Sequence, residues 1–95
     1  MHIISLKRLR DFWIAYPDAE LPLRRWHKLL ESADYSGFSA IRRDFPQADW
    51  VDGLIVFNIG GNKYRLIADV RFHWRKLFVV AVLTHAEYDR GEWKP

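Results

Sequence analysis

The chain has 95 residues, 49% of them hydrophobic and 16% aromatic, with a formal net charge of +3. That length encloses one hydrophobic core, and the aromatic content excludes a disordered chain, so a single domain over residues 1–95 is expected. There are no cysteines, which excludes a disulfide framework and a thiolate metal site, and a pI near 9.4 favours acidic partners.

His2-Ile3-Ile4 is a short apolar run, and Ser5 behind it is a residue type that caps helices, so a strand followed by a helix is predicted. No apolar stretch of the kind that marks a secretory signal follows the first charges, and no segment approaches the ~20 apolar residues of a membrane span. The protein is therefore expected to be cytoplasmic and to have no membrane partner. Leu6, Leu9, Trp13 and Tyr16 recur at helical spacing on one face, and Pro17 ends that helix because the residue before proline is pushed out of the α region. A second helix starts between Asp18 and Pro22, with Leu23, Trp26, Leu30 and Ala33 as its apolar stripe. The segment from Tyr35 to Gly53 is irregular and reads as a long loop, with a short helix around Phe38 to Asp44.

Beyond it the pattern becomes β. Leu54 to Ile59 reads as a strand, Gly60-Gly61-Asn62 supplies the positive φ of a tight hairpin, and Lys63 opens a second strand. The apolar run Leu77 to Leu83 is predicted to be a central strand buried on both faces. The order β-α-α-β-β-β predicts an α+β fold, with a two-helix layer against a small, mostly antiparallel sheet.

Charge is unevenly spread. Residues 63–85 carry five Lys or Arg against one Asp, while residues 31–52 carry two against five acids. In the strand from Lys63, alternation puts Tyr64, Leu66, Ala68, Val70 and Phe72 on one face and Lys63, Arg65, Ile67, Asp69 and Arg71 on the other. From the residues alone this second face is either a solvated surface with Asp69 paired to an arginine or a grip for a polyanion. His85 ends the apolar strand, where an imidazole can serve structure or chemistry. The other histidines, His2, His27 and His73, show no metal-ligand spacing, so no metal or cofactor is expected. Neither a nucleophile elbow nor a phosphate loop occurs.

Val56-Phe57-Asn58-Ile59-Gly60-Gly61-Asn62-Lys63-Tyr64-Arg65-Leu66-Ile67 followed by Thr84-His85-Ala86-Glu87-Tyr88-Asp89 resembles the signature of HigB-type toxins, a branch of the RelE/ParE superfamily. His2-Ile3-Ile4-Ser5 and Tyr16-Pro17-Asp18-Ala19-Glu20 match as well, so the likeness covers nearly the whole chain. The resemblance implies a RelE-like fold and a metal-independent endoribonuclease that cuts mRNA, typically on the translating ribosome. It implies a HigA-type helix-turn-helix antitoxin as partner, with operator DNA reached only through that antitoxin. Carried over by position, Arg65 matches the superfamily's strand arginine at the scissile phosphate, and Lys63 would share that role or hold the flanking backbone. His85 falls where relatives place a His or Arg, as acid or base, and Tyr88 would stack on a base or donate its phenolic proton. Arg71, Arg75 and Lys76 read as RNA or ribosome contacts. ParE-like relatives inhibit DNA gyrase without cutting nucleic acid, and an RNA-binding module without cleavage is the third reading; fold alone does not separate these.

Overall fold

A computed structural model describes residues 1–94. Strand β1 (His2–Ile4) leads to helix α1 (Leu6–Ala15), a 3-10 turn (Pro17–Ala19) and helix α2 (Glu20–Ser32). Helix α3 (Phe38–Asp44) and strands β2 (Asp49–Val51), β3 (Leu54–Ile59) and β4 (Tyr64–Arg71) follow. A 3-10 turn (Phe72–Trp74), strand β5 (Lys76–Thr84) and helix α4 (His85–Arg90) complete the order. The five strands form one sheet, β1-β5-β4-β3-β2, antiparallel except where β1 pairs with β5. This is the α+β, RelE-like arrangement that the sequence predicts, with helices layered on a mostly antiparallel sheet.

The core lies between α2 and the sheet. Leu23, Trp26 and Leu30 of the predicted stripe are buried, and Ala33 falls just past the helix end. They meet Phe57, which is fully buried and takes Trp26 and Phe45 edge-on at 5.5 and 5.1 Å. The α1 stripe is only partly realised: Leu9 is buried, while Leu6 and Tyr16 stay exposed because this helix lies at the margin of the layer, chiefly against β5, α2 and the 3-10 turn. Ser5 does not cap α1 with its side chain. Its left-handed backbone (φ 78°) instead makes the sharp bend out of β1, and its carbonyl accepts from the Arg8 N–H at 3.0 Å.

Three further expectations need correction. The stretch 35–53 is not one loop with a helix, because Asp49–Val51 adds an edge strand to β3. Asp52 and Gly53, both at positive φ, form the two-residue turn that joins them, since such turns match the strand twist. Strand β5 does sit between β1 and β4, yet it is buried on one face only: Leu77 and Val79 are buried and Phe78 is 36% exposed. On the face away from α1 and α2, helix α4 packs against β5 and β4 near the Thr84 end. Helix α4 itself was not foreseen. The β3–β4 hairpin forms as expected, with Gly60 and Gly61 at φ 63° and 71°. Both edge strands have three residues, a length that leaves little ladder for another chain to pair with.

Candidate active site

Pairing across the sheet fixes which side chains share the face turned away from α2. Asn58, Arg65 and Leu83 form one row, and Val56, Ile67 and Ala81 form the next. Val56 and Ile67 are buried on this second face, apart from the main core. Between Ile67 and Ala68 the register slips by one residue of β5, a bulge that sharpens the local twist.

Arg65 is the one charged residue buried among those described, at 8% exposure. A buried guanidinium must be satisfied by acceptors, and here the hairpin supplies them. Nη1 donates to the carbonyls of Asn62 (3.2 Å) and Tyr64 (3.1 Å), and Nη2 donates to Asn62 Oδ1 (2.6 Å). Those bonds occupy three of the five guanidinium N–H groups, so two, including Nε–H, have no partner among the described residues. The tight turn thus holds the arginine rigidly and leaves donors over for an anion.

Helix α4 closes one side of this group. Its N-terminus is a capping box: the Thr84 hydroxyl accepts from the Glu87 N–H at 3.2 Å, and Glu87 Oε1 accepts from the Thr84 N–H at 2.9 Å. Starting the helix there sets the Tyr88 ring 5.5 Å from the Arg65 guanidinium carbon. Trp93 stacks on Tyr88 at 5.2 Å and donates from Nε1 to the Tyr88 carbonyl. His85, the first residue of α4, donates its backbone N–H to the Lys63 carbonyl at 3.2 Å, which ties it to the end of the same hairpin. Its Nδ1 lies 2.9 Å from Asp89 Oδ2 one helical turn on. A carboxylate on Nδ1 selects the tautomer protonated there, so Nε2 keeps its lone pair for a proton.

Lys63 is placed differently from its neighbour. Its Nζ is 2.6 Å from Asp18 Oδ2 on the 3-10 turn, and the Tyr64 hydroxyl donates to the other Asp18 oxygen. These two donors hold the Asp18 carboxyl below its ordinary value, the Lys63 ammonium first and the Tyr64 hydroxyl second. The same bond, with burial adding to it, pushes the Tyr64 phenol up to about 12. The Lys63 ammonium is therefore engaged with a carboxylate of the helical layer.

The remaining cations sit elsewhere. Arg71 and Lys76 pair at the far end of the β4–β5 ladder, six residues from Arg65 and so about 20 Å along the strand. Arg71 grips Asp69 with two bonds of 2.9 Å, and Arg75 lies 3.4 Å from Asp34. The structure thus brings Arg65, His85 and Tyr88 to one end of the sheet and keeps Arg71, Arg75 and Lys76 at the other. Asn62, Asp89 and Trp93, which orient those three, were not singled out from sequence. Residues 84–87, Thr-x-x-Glu, carried the signal for the missing helix.

Residues 19–91 match the HigB toxin family, described as the RelE-like toxic component of a toxin–antitoxin system. The chain belongs to that family, and so to the class of toxins paired with an antitoxin. It is 33% identical over 92 residues to the mRNA interferase toxin HigB of Escherichia coli strain K12, covering 94% of this chain and 88% of the relative. The mRNA interferase HigB of Shigella flexneri matches to the same extent. That of Escherichia coli O6:H1 is 32% identical over 93 residues, covering 95% and 90%.

Proposed function

We propose that residues 1–95 act as one toxin domain that cleaves mRNA on the translating ribosome, using Arg65, His85 and Tyr88. The observation that carries this reading is the buried Arg65 guanidinium, with N–H groups to spare, at the end of the sheet where α4 begins with His85, whose imidazole is paired with Asp89. The names of the relatives, all mRNA interferases, point the same way.

RNA carries its own nucleophile. The 2′-hydroxyl oxygen bonds to the adjacent phosphorus as the P–O5′ bond breaks, giving a 2′,3′-cyclic phosphate and a free 5′-hydroxyl end. His85 Nε2 takes the 2′ proton, and the Tyr88 hydroxyl gives a proton to the leaving 5′ oxygen. Arg65 donates to the phosphate oxygens, on which charge builds as five oxygens crowd the phosphorus. Solvent returns the proton from His85 to Tyr88. Arg71, Arg75 and Lys76 lie too far away to touch the same phosphate and would hold distant backbone or ribosomal RNA. Lys63 serves the site through its backbone and its bond to Asp18, while a HigA-type helix-turn-helix antitoxin would restrain the toxin in the cytoplasm and carry the pair to operator DNA.

A purified translation system programmed with a reporter mRNA tests this directly. The wild-type chain should release fragments ending in 2′,3′-cyclic phosphate, with Arg65→Ala and His85→Ala each at least about a hundredfold slower. Intact mRNA in the presence of wild-type protein, together with inhibited gyrase supercoiling, would replace this reading with the non-cutting one. Cleavage of the same mRNA without ribosomes would overturn the ribosome requirement alone.

A further inference from the structure

Two residues at the Arg65 end of the sheet, Lys63 and Tyr64, are bound through their side chains to one carboxylate that the cleavage chemistry does not use. Asp18 sits on the 3-10 turn between α1 and α2, more than forty residues from the hairpin it touches. Its two oxygens take the Lys63 ammonium and the Tyr64 hydroxyl. The backbone carbonyls of these same two residues are the seats of the site: Lys63 O accepts the His85 N–H at 3.2 Å, and Tyr64 O accepts Arg65 Nη1 at 3.1 Å.

We infer that Asp18 is a positioning residue for cleavage: by clamping the side chains of Lys63 and Tyr64 it fixes the carbonyls on which His85 and Arg65 rest. The inference rests on the proposed roles of Arg65 and His85. The geometry makes the clamp effective. Tyr64 is buried, its ring edge-on to Phe12 at 5.1 Å and tilted against Tyr16 at 5.7 Å, so its hydroxyl has little freedom to find another acceptor. Lys63 follows a turn built on two positive-φ glycines, and its N–H makes a long 3.4 Å bond to the Gly60 carbonyl. The two glycines have no side chains with which to anchor the turn, and the long-range bonds to Asp18 tie its end to the helical layer. Asp18 also withholds the Lys63 ammonium from Arg65 and so keeps a second cation from competing for the same phosphate.

Asp18→Asn tests the inference because it keeps the shape and loses the charge. The single-turnover rate of mRNA cleavage on ribosomes should fall about ten- to a hundredfold, the loss expected when reacting groups are displaced by up to an ångström. The toxin concentration giving half the maximal rate should stay within about twofold, since no RNA contact is removed. Exchange of the His85 amide proton should quicken about tenfold, while the amides of Leu66 and Leu77 in the core strands stay protected. The Tyr64 phenol, followed by absorbance near 295 nm, should ionise well below its value of about 12. Tyr64→Phe removes one of the two bonds and should lose part of the rate; it carries the test if Asp18→Asn does not fold. A wild-type rate in both variants overturns the inference, and so does a rate that rises, which would make Lys63 the acting cation. A shift confined to the half-maximal concentration overturns it too, by making Asp18 a binding determinant. If Arg65→Ala and His85→Ala cleave normally, the cleavage reading itself fails, whereas failure of the Asp18 variants alone leaves that reading standing.

Discussion

Replacing Arg65 with lysine separates charge from geometry at the centre of the site. The substitution keeps one positive charge and deletes the planar fork that reaches Asn62 O, Tyr64 O and Asn62 Oδ1 at 3.2, 3.1 and 2.6 Å. A single ammonium meets these acceptors or the phosphate, not both, so at least one pre-organised donor to the substrate is lost. Loss of one such donor costs about 2.7–4 kcal/mol of barrier, or a rate about 10² to 10³ lower. Stability falls much less. The two Asn62 acceptors are only partly buried and regain water while the buried Tyr64 carbonyl does not, which puts the net cost at about 2 kcal/mol and the drop in Tm at about 8–16 °C. Cleavage of reporter mRNA on ribosomes, alongside thermal unfolding followed by circular dichroism, reads both quantities on one preparation. A folded Arg65→Lys protein cutting within about threefold of wild type would refute the reasoning, because it would show that charge alone suffices.

Thr84→Ala removes the hydroxyl of the α4 capping box and should destabilise that helix by about 1 kcal/mol. Amide exchange across residues 85–90 should speed up, and cleavage should fall as Tyr88 loosens from Arg65, with the main core unaffected. Phe57→Ala empties a fully buried site between Trp26 and Phe45 and should cost about 3–5 kcal/mol in urea unfolding. Because the folded Asp18 carboxyl lies below its ordinary 3.8, its contribution is fully present above that value and lost as falling pH passes the folded value. Asp18→Asn should therefore flatten the acid limb of the stability curve, measured as denaturation midpoint against pH below about pH 4.

Where sequence periodicity coincided with burial, it could be read. The α2 stripe was legible because Leu23, Trp26 and Leu30 all face the sheet, and the β3–β4 hairpin because two adjacent glycines leave few other conformations. The α1 stripe misled, since a helix resting at the margin of the layer buries Leu9 and leaves its other apolar residues half in water. Strand β2 escaped notice because Asp49-Trp50-Val51 is too short to show alternation and owes its existence to pairing with β3. At the site, alternation placed Arg65 opposite Tyr64 correctly, yet nothing local could show that Asn62 would satisfy it, nor that Lys63 would turn toward an acid forty-five residues earlier. Those contacts are made by the tertiary fold. The pairing of His85 with Asp89 was visible in principle, since Thr84-x-x-Glu87 starts a helix that puts them one turn apart.

The parallel strand pair joins residues 2–4 to residues 76–78, with His2 opposite Lys76. During synthesis α1 and α2 emerge early but find only part of the floor they pack on, because β5 is made long after them. A nascent chain stopped before Lys76 would lack both that floor and the segment bearing His85 and Tyr88. One late stretch, residues 76–90, thus completes both the packing of the helices and the candidate site, and shorter products have neither.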